Sequence, residues 1–271
     1  MRSAELISVL FFATVSIGAV VLRLARPRLG RALGLGAAGI LLAALLPLLS
    51  RLPGGEVVRD FVPSFLLLIG YWQTGQFLVR RNDRFQALLE RVDRRWLPRP
   101  RGLEVGHGDR SPLGLYLETA YLACYPVVPL GVGALYLGGR SDLVDPFWTV
   151  VLTATFATHV LTTRFQSWPP WMMDSAGRPD VRSSVVGSVN QWLTNHASIR
   201  LNSFPSGHVA SSAAVGLVVL AGLPAVGFVF LWIAGSIAVA SVVLRYHYGL
   251  DVVLGLALAG VSFALLGPGI R

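Results

Sequence analysis

Residues 204–251 read FPSGHVASSAAVGLVVLAGLPAVGFVFLWIAGSIAVASVVLRYHYGLD, and no charged side chain interrupts them from Val209 to Leu244. Two apolar segments, 208–222 and 226–244, fill the interval between two histidines. A helix crossing a bilayer core needs about twenty apolar residues, so this stretch predicts a hairpin that leaves one membrane face and returns to it. His208 and His247 then share that face. The first segment is rich in small residues (Ala210, Ser211, Ser212, Ala213, Ala214), which let helix backbones approach closely in lipid. A central, protein-facing helix is expected there.

Outward from the hairpin, further apolar runs lie at 4–22, 32–50, 61–79, 113–138, 146–163 and 250–267, giving about eight spans. The chain has 271 residues, 54% of them hydrophobic and 14% charged. The expectation is an all-α membrane protein with one membrane domain. Between the third and fourth spans, Phe85, Leu88, Leu89, Val92 and Trp96 recur at helical spacing among Arg84, Glu90, Arg91, Arg94 and Arg95. That pattern predicts a helix near 83–96 lying in the interface plane with its apolar stripe in the acyl boundary. Pro98 and Pro100 end it. It reads either as a plain surface anchor or as a platform beside a lipid-entry site. The longest loop, 164–207, carries four prolines (Pro169, Pro170, Pro179, Pro205) and an aromatic cluster (Phe165, Trp168, Trp171, Trp192), and long loops tend to carry function.

The net charge of +9 comes from arginine alone, with no lysine, a usage typical of a GC-rich bacterial genome. The arginines bunch at the ends of apolar runs, as suits anionic lipids. Without a basic soluble surface, nucleic acid is excluded as a partner; membrane lipids are expected. Cys124 lies inside an apolar run, so it belongs to no internal disulfide and no metal cluster. The first run, followed by Arg23, Arg26, Arg28 and Arg31, reads as an anchor rather than a removable leader.

Two constellations carry chemistry. In Phe204-Pro205-Ser206-Gly207-His208, Ser206 is a good N-cap, and the first amides of the following helix face outward at the positive end of its dipole. That is an anion site suited to phosphate. Gly207 removes a blocking side chain, and His208 is placed to donate a proton. In Arg245-Tyr246-His247-Tyr248-Gly249-Leu250-Asp251, His247 and Asp251 are four apart and share a helix face. The carboxylate there can fix the imidazole tautomer and leave one nitrogen lone pair exposed. Arg245 is placed to bind phosphate oxygens bidentately. Glu118 and His159, polar residues inside spans, read as structural.

On Pro205-Ser206-Gly207-His208 and the His247-to-Asp251 spacing, the chain resembles the type 2 phosphatidic acid phosphatase superfamily, the lipid phosphate phosphatases related to vanadium haloperoxidases. The resemblance covers roughly 61–271. It implies a six-helix catalytic bundle over 56–271, with 1–55 as an extra N-terminal transmembrane hairpin. It further implies His247 as a nucleophile that forms a phosphohistidine, Asp251 as its orienter and His208 as general acid. Ser206 and Gly207 would hold phosphate oxygens, with no metal or cofactor. Two motifs depart from the family. Where its third motif places an arginine, six residues before the nucleophile, Ser241 stands here, after Ala240; Arg245 is the nearest substitute. Where its first motif has a basic residue seven after Arg164, Trp171 stands. Arg164 is the candidate for the missing phosphate charge, with Arg182 and Arg200 behind it.

The resemblance implies hydrolysis of a lipid phosphate or diphosphate, with phosphatidic acid, phosphatidylglycerol phosphate and polyprenyl diphosphates all open as substrates. The Arg-Tyr-His-Tyr form resembles inositol phosphorylceramide synthases and keeps phosphotransfer to an alcohol open. A non-catalytic lipid-binding or transport role is a third alternative. Four arginines in 23–31 and nine in 80–112 fall on the catalytic side of an eight-span chain. The positive-inside rule makes that side the cytoplasmic face of a cell membrane.

Overall fold

The computed structural model describes residues 1–97, 111–173, 184–199 and 203–267. Pro98, Pro100, Pro179, Arg182 and Arg200 lie outside the described residues. The chain is an all-α membrane protein. Helices α1 (Ser3–Val21) and α2 (Arg26–Leu49) form a hairpin, and α3 (Gly55–Phe61) and α4 (Pro63–Gly75) follow. After α5 (Asp83–Trp96) come α6 (Pro112–Leu122), α7 (Val127–Leu137) and α8 (Val144–Arg164). The short α9 (Pro170–Met173) and α10 (Val185–His196) precede α11 (Gly207–Gly222), α12 (Pro224–Val243) and α13 (Gly249–Leu266).

Among the described residues, five helices are long and apolar enough to cross a bilayer alone: α1, α2, α8 with its preceding turn, α12 and α13. Two expected spans are not single long helices. The third, expected over 61–79, is helical as the 13-residue α4, with α3 ending at Phe61 where that span was to begin, and the fourth bends by 74° between α6 and α7. Pro126 explains the second break, because it lacks the N–H that would continue the helix and its ring crowds the carbonyl of Leu122. Leu6, Leu10 and Ile17 of α1, Phe228, Val229 and Trp232 of α12, and Val253, Leu256 and Leu265 of α13 are exposed. They form the surface that meets lipid tails, while helix packing satisfies the backbone inside.

The centre is α11, buried continuously from Val209 to Gly216 and packed between α7, α8, α12 and α13. Its small residues permit this, since tight van der Waals packing drives helix association in lipid. Gly255 marks the close crossing of α13 on α11: a Cβ there would lie 2.7 Å from the Ser206 carbonyl oxygen. The α1–α2 hairpin shares the same core, with Phe11 stacked on Phe156 of α8 at 3.9 Å between ring centres.

Hydrogen bonds fix which helix ends lie together. Arg28 Nη1 donates to the Leu78 carbonyl at 2.7 Å, and the Asn82 amide donates to the Gln166 carbonyl at 2.9 Å. The loops after α1, α4 and α8 therefore share a face with the starts of α11 and α13. At the opposite face, Arg2 pairs with Asp60 and with Glu56 (2.5 Å), and Arg59 pairs with Glu5 at 2.7 Å. Asp60 also accepts from Tyr136, and its carbonyl accepts from Trp148 Nε1 at 2.7 Å. This network, buried at Glu5 and Asp60, ties the start of α1 to α3, α7 and α8.

Helix α5 forms where the periodicity predicts, capped by Asn82, whose Oδ1 accepts from the Phe85 amide at 3.1 Å. Leu88 and Trp96 are exposed, and the buried residues are Gln86, Leu89 and Asp93. Two polar side chains face inward because backbone and side-chain partners await them there.

Candidate active site

Ser206 caps α11 as its residue type predicts, with Oγ accepting from the Val209 amide at 3.4 Å. Its own amide donates to the Asp251 carbonyl at 3.0 Å. The first turn of α11 is thereby laced to the first turn of α13, and the two constellations read from the sequence meet. A Cβ on Gly207 would lie 3.2 Å from Thr158 Oγ1 and 3.7 Å from the His159 ring. The glycine thus lets α11 settle on α8. The Phe204-Pro205 peptide is cis.

His247 is 6% exposed and its Nδ1 lies between two acceptors, the Ser203 carbonyl at 2.8 Å and Asp251 Oδ2 at 3.3 Å. Two acceptors on one nitrogen place the proton on Nδ1, which leaves Nε2 with a free lone pair. The closer partner is the Ser203 carbonyl, a contact not foreseen in the sequence. Asp251, with no exposed surface, is itself held at Oδ2 by the Tyr248 amide at 2.8 Å and by a short hydrogen bond from Ser203 Oγ. Ser203 therefore grips both members of the pair, one through its carbonyl and the other through its hydroxyl.

The His208 ring stands edge-on to His247, with 6.3 Å between ring centres and 76° between planes. Tyr121 and Tyr125 flank it at 5.8 and 5.6 Å, and Tyr121 stacks on Tyr246 at 3.8 Å. The elbow between α6 and α7 brings both α6-side tyrosines here. The His208 carbonyl accepts from Ser211 Oγ and Ser212 Oγ, at 3.1 and 2.6 Å. Small polar residues of α11 thus close the underside of its first turn.

The arginines divide. Arg245 sits in the connection before His247 with a left-handed backbone, φ 62°. Its carbonyl accepts from the Trp171 amide at 3.1 Å, and its positive charge is near enough to Asp93 of α5 to favour the ionised carboxylate. Arg164 ends α8 and is exposed. Two residues earlier, Thr162 is buried and donates to the Phe204 carbonyl at 3.1 Å. Two helical positions turn the chain by roughly 200°, so Arg164 is directed away from the loop that Thr162 touches. Ser241, at the position of the family's arginine, is fully buried, and its carbonyl receives the His247 amide at 2.9 Å. It helps shape the backbone of the turn.

Inner polar residues of α5 complete the surroundings. Gln86 Nε2 donates to the Tyr248 hydroxyl at 2.5 Å, and Asp93 Oδ1 accepts from the Gly249 amide at 2.9 Å. Burial, aided by the nearby charge of Asp251, raises the Asp93 carboxyl above its ordinary value. Glu118 is fully buried on α6 and receives Asn190 Nδ2 of α10 at 2.5 Å, a contact that fastens α10 across α6. Among the described residues, no group of three or more histidine, cysteine, aspartate or glutamate side chains is arranged to hold a metal ion.

The sequence profile of the PAP2 superfamily matches residues 89–265, a stretch that contains both histidine constellations and all of α6 to α12. The chain belongs to the PAP2 superfamily. A similar protein is a PA-phosphatase related-family protein of Dictyostelium discoideum, 46% identical over 84 residues, which are 31% of this chain and 15% of that one. The chain therefore matches a minor part of that relative's length. No solved structure matches. Within the PAP2 match, Asp93 is included while Gln86 and the whole α1–α4 region precede it.

Proposed function

We propose that this protein is a membrane lipid phosphatase acting through a phosphohistidine on His247. The observation that carries the reading is the double acceptor at His247 Nδ1, which frees Nε2, with a second imidazole 6.3 Å away between ring centres. In the first step Nε2 attacks phosphorus, the bond from phosphorus to the lipid oxygen breaks, and protonated His208 gives its proton to that oxygen. In the second step a water attacks the phosphohistidine, neutral His208 takes the water's proton, and inorganic phosphate leaves His247. The amides opening α11 and the Arg245 guanidinium offset the phosphate charge. Asp251 and Ser203 stabilise the imidazolium character that develops on His247 during attack.

The substrate class is a phosphate or diphosphate on a lipid, whose head enters between the tyrosines while its tail stays in the bilayer. The arginines at 23–31 and on α5 lie on the catalytic face, which supports a cytoplasmic orientation in a cell membrane. Labelling of a His196→Cys variant by an impermeant maleimide from outside intact cells would refute that orientation. Transfer to an alcohol is a second reading. The tyrosine hydroxyls around His208 favour it by offering partners to an acceptor other than water.

The deciding experiment is phosphate release by purified protein from phosphatidic acid, phosphatidylglycerol phosphate and polyprenyl diphosphate, with chelator and with or without alcohol acceptors. Release from at least one of them that persists in chelator and is abolished in His247→Ala is expected. Equal release by His247→Ala would refute the mechanism and leave a lipid-binding or transport role.

A further inference from the structure

We infer that the interfacial helix α5 belongs to the reaction machinery, with Gln86 and Asp93 as positioning residues for the turn that carries His247. The inference rests on the reading of His247 as the reacting residue. Both side chains are buried, at 2% and 8% exposure, on a helix whose arginines (Arg84, Arg91, Arg94 and Arg95) are all exposed. Gln86 uses its whole amide: Nε2 donates to the Tyr248 hydroxyl (2.5 Å) and to Glu90 Oε1 (3.2 Å), and Oε1 accepts from the Trp168 amide at 3.0 Å. Tyr248 is 1% exposed, adjoins His247, and gives its own amide proton to Asp251 Oδ2 at 2.8 Å. A pull on its ring therefore reaches both members of the histidine–aspartate pair.

Asp93 acts one residue further on. The Gly249 amide opens α13 and has no partner within that helix; Asp93 Oδ1 supplies one from α5 at 2.9 Å. The carboxylate also sits at the positive end of the α13 dipole. Gly249 itself records the close fit, because a Cβ there would lie 2.4 Å from Leu97 Cδ1 and 3.4 Å from Asp93 Oδ1. The interval between these two anchors and Asp251 is one helical turn, the same turn that sets the 3.3 Å contact from His247 to the carboxylate. A plain surface anchor would need apolar contacts to lipid. It would not need two buried polar side chains spent on residues 248 and 249.

The test compares Gln86→Leu and Asp93→Ala with the conservative Gln86→Glu and Asp93→Asn, all in the full chain in phospholipid nanodiscs. Asn keeps an oxygen for the Gly249 amide, and Glu keeps an oxygen for the Trp168 amide and can accept from Tyr248. Phosphate release from dioleoyl phosphatidic acid is measured alongside hydrogen–deuterium exchange over 245–252, with His247→Ala in parallel. Displacement of a reacting group by about 1 Å costs on the order of 100-fold in rate. The expected result is thus a fall in kcat of about 10- to 100-fold in Q86L and in D93A, with KM within about threefold. D93N should recover most of the rate, and exchange at 246–251 should quicken in Q86L and D93A. Wild-type kcat in both folded variants, or a loss in D93A that D93N fails to rescue, overturns the inference. Should Q86L fail to fold, the alanine and asparagine variants of Asp93 decide. Wild-type release by His247→Ala would instead refute the phosphatase reading, and unchanged exchange at 246–251 would then refute the positioning role by itself.

Discussion

The carboxylate of Asp251 takes hydrogen bonds from Ser203 Oγ, from the Tyr248 amide and from His247 Nδ1. One of these donors is the imidazole itself, so on the proposed mechanism the carboxylate already faces the ring on which positive charge would develop. Arg245 illustrates how one residue serves two ends. Its left-handed backbone, φ 62°, costs a non-glycine residue about 1 kcal/mol, and strain of this kind gathers at functional sites. Backbone and charge can be separated by substitution. Arg245→Gly should keep or raise the thermal midpoint while raising KM for a lipid phosphate about tenfold. Arg245→Ala should raise KM similarly but leave the midpoint below that of Arg245→Gly, since alanine keeps the strain that glycine relieves. Arg245→Lys, with charge but no fork, should fall between wild type and Ala in KM. Thermal unfolding and steady-state kinetics on the three variants check the ordering.

At the scale of elements, two helix starts and one interfacial helix meet at the site. Asp93 of α5 makes this meeting sensitive to pH. Burial raises its carboxyl, the Asp251 charge adds to the rise, and the Gly249 amide and the Arg245 guanidinium oppose it. A carboxyl raised in the fold stabilises the protein fully below its unfolded value of about 3.9, and that contribution is lost as pH rises through the folded value. Asp93→Asn should therefore match wild type in thermal midpoint near pH 4 and exceed it at neutral pH. A midpoint difference that shrinks as pH rises would contradict this account. The spans, the central α11 and the meeting of residues 204–208 with 245–251 were legible in the sequence, because apolar runs and motif spacing are local signals. Pro126 was visible too, but an apolar run around a proline reads as one span until its bend is seen. Ser203, Gln86 and the tyrosine box were not legible. Their contacts cross from about 40 to 160 positions and leave no periodic trace. The inward polar edge of α5 was hidden by the stronger pattern of Phe85, Leu88 and Leu89, which reads as a stripe toward lipid and is silent on Gln86 and Asp93. Arg164 shows the converse: motif spacing selected it, while the helix end that carries it leaves it exposed.

Across the whole molecule, the face that carries the candidate site is balanced by the ion-pair network at the far ends of the helices. Arg59 and Glu5 meet at 2.7 Å with side chains 10% and 2% exposed. Removing one partner of such a buried pair leaves a charge without compensation and costs about 3–5 kcal/mol. Arg59→Met should lower the thermal midpoint strongly, and adding Glu5→Gln should restore much of it. The rate at temperatures well below unfolding should stay unchanged in both, because the length of α8, 21 residues or about 30 Å, separates the network from the site. A lowered rate in the folded single variant would reveal coupling along the helices. The shortness of α11 has a different consequence. Its 16 residues rise about 24 Å, while a bilayer's hydrocarbon core is about 30 Å thick. With its far end at the opposite boundary, its first turn and His208 sit below the plane of the surrounding headgroups unless the membrane thins around them. On the proposed function, hydrophobic mismatch would then control turnover: thin host bilayers would bring substrate phosphates level with the histidines, and thick ones would lift them away. Activity in vesicles of monounsaturated phosphatidylcholines should decline as acyl length grows from about 14 to about 22 carbons, at fixed substrate fraction.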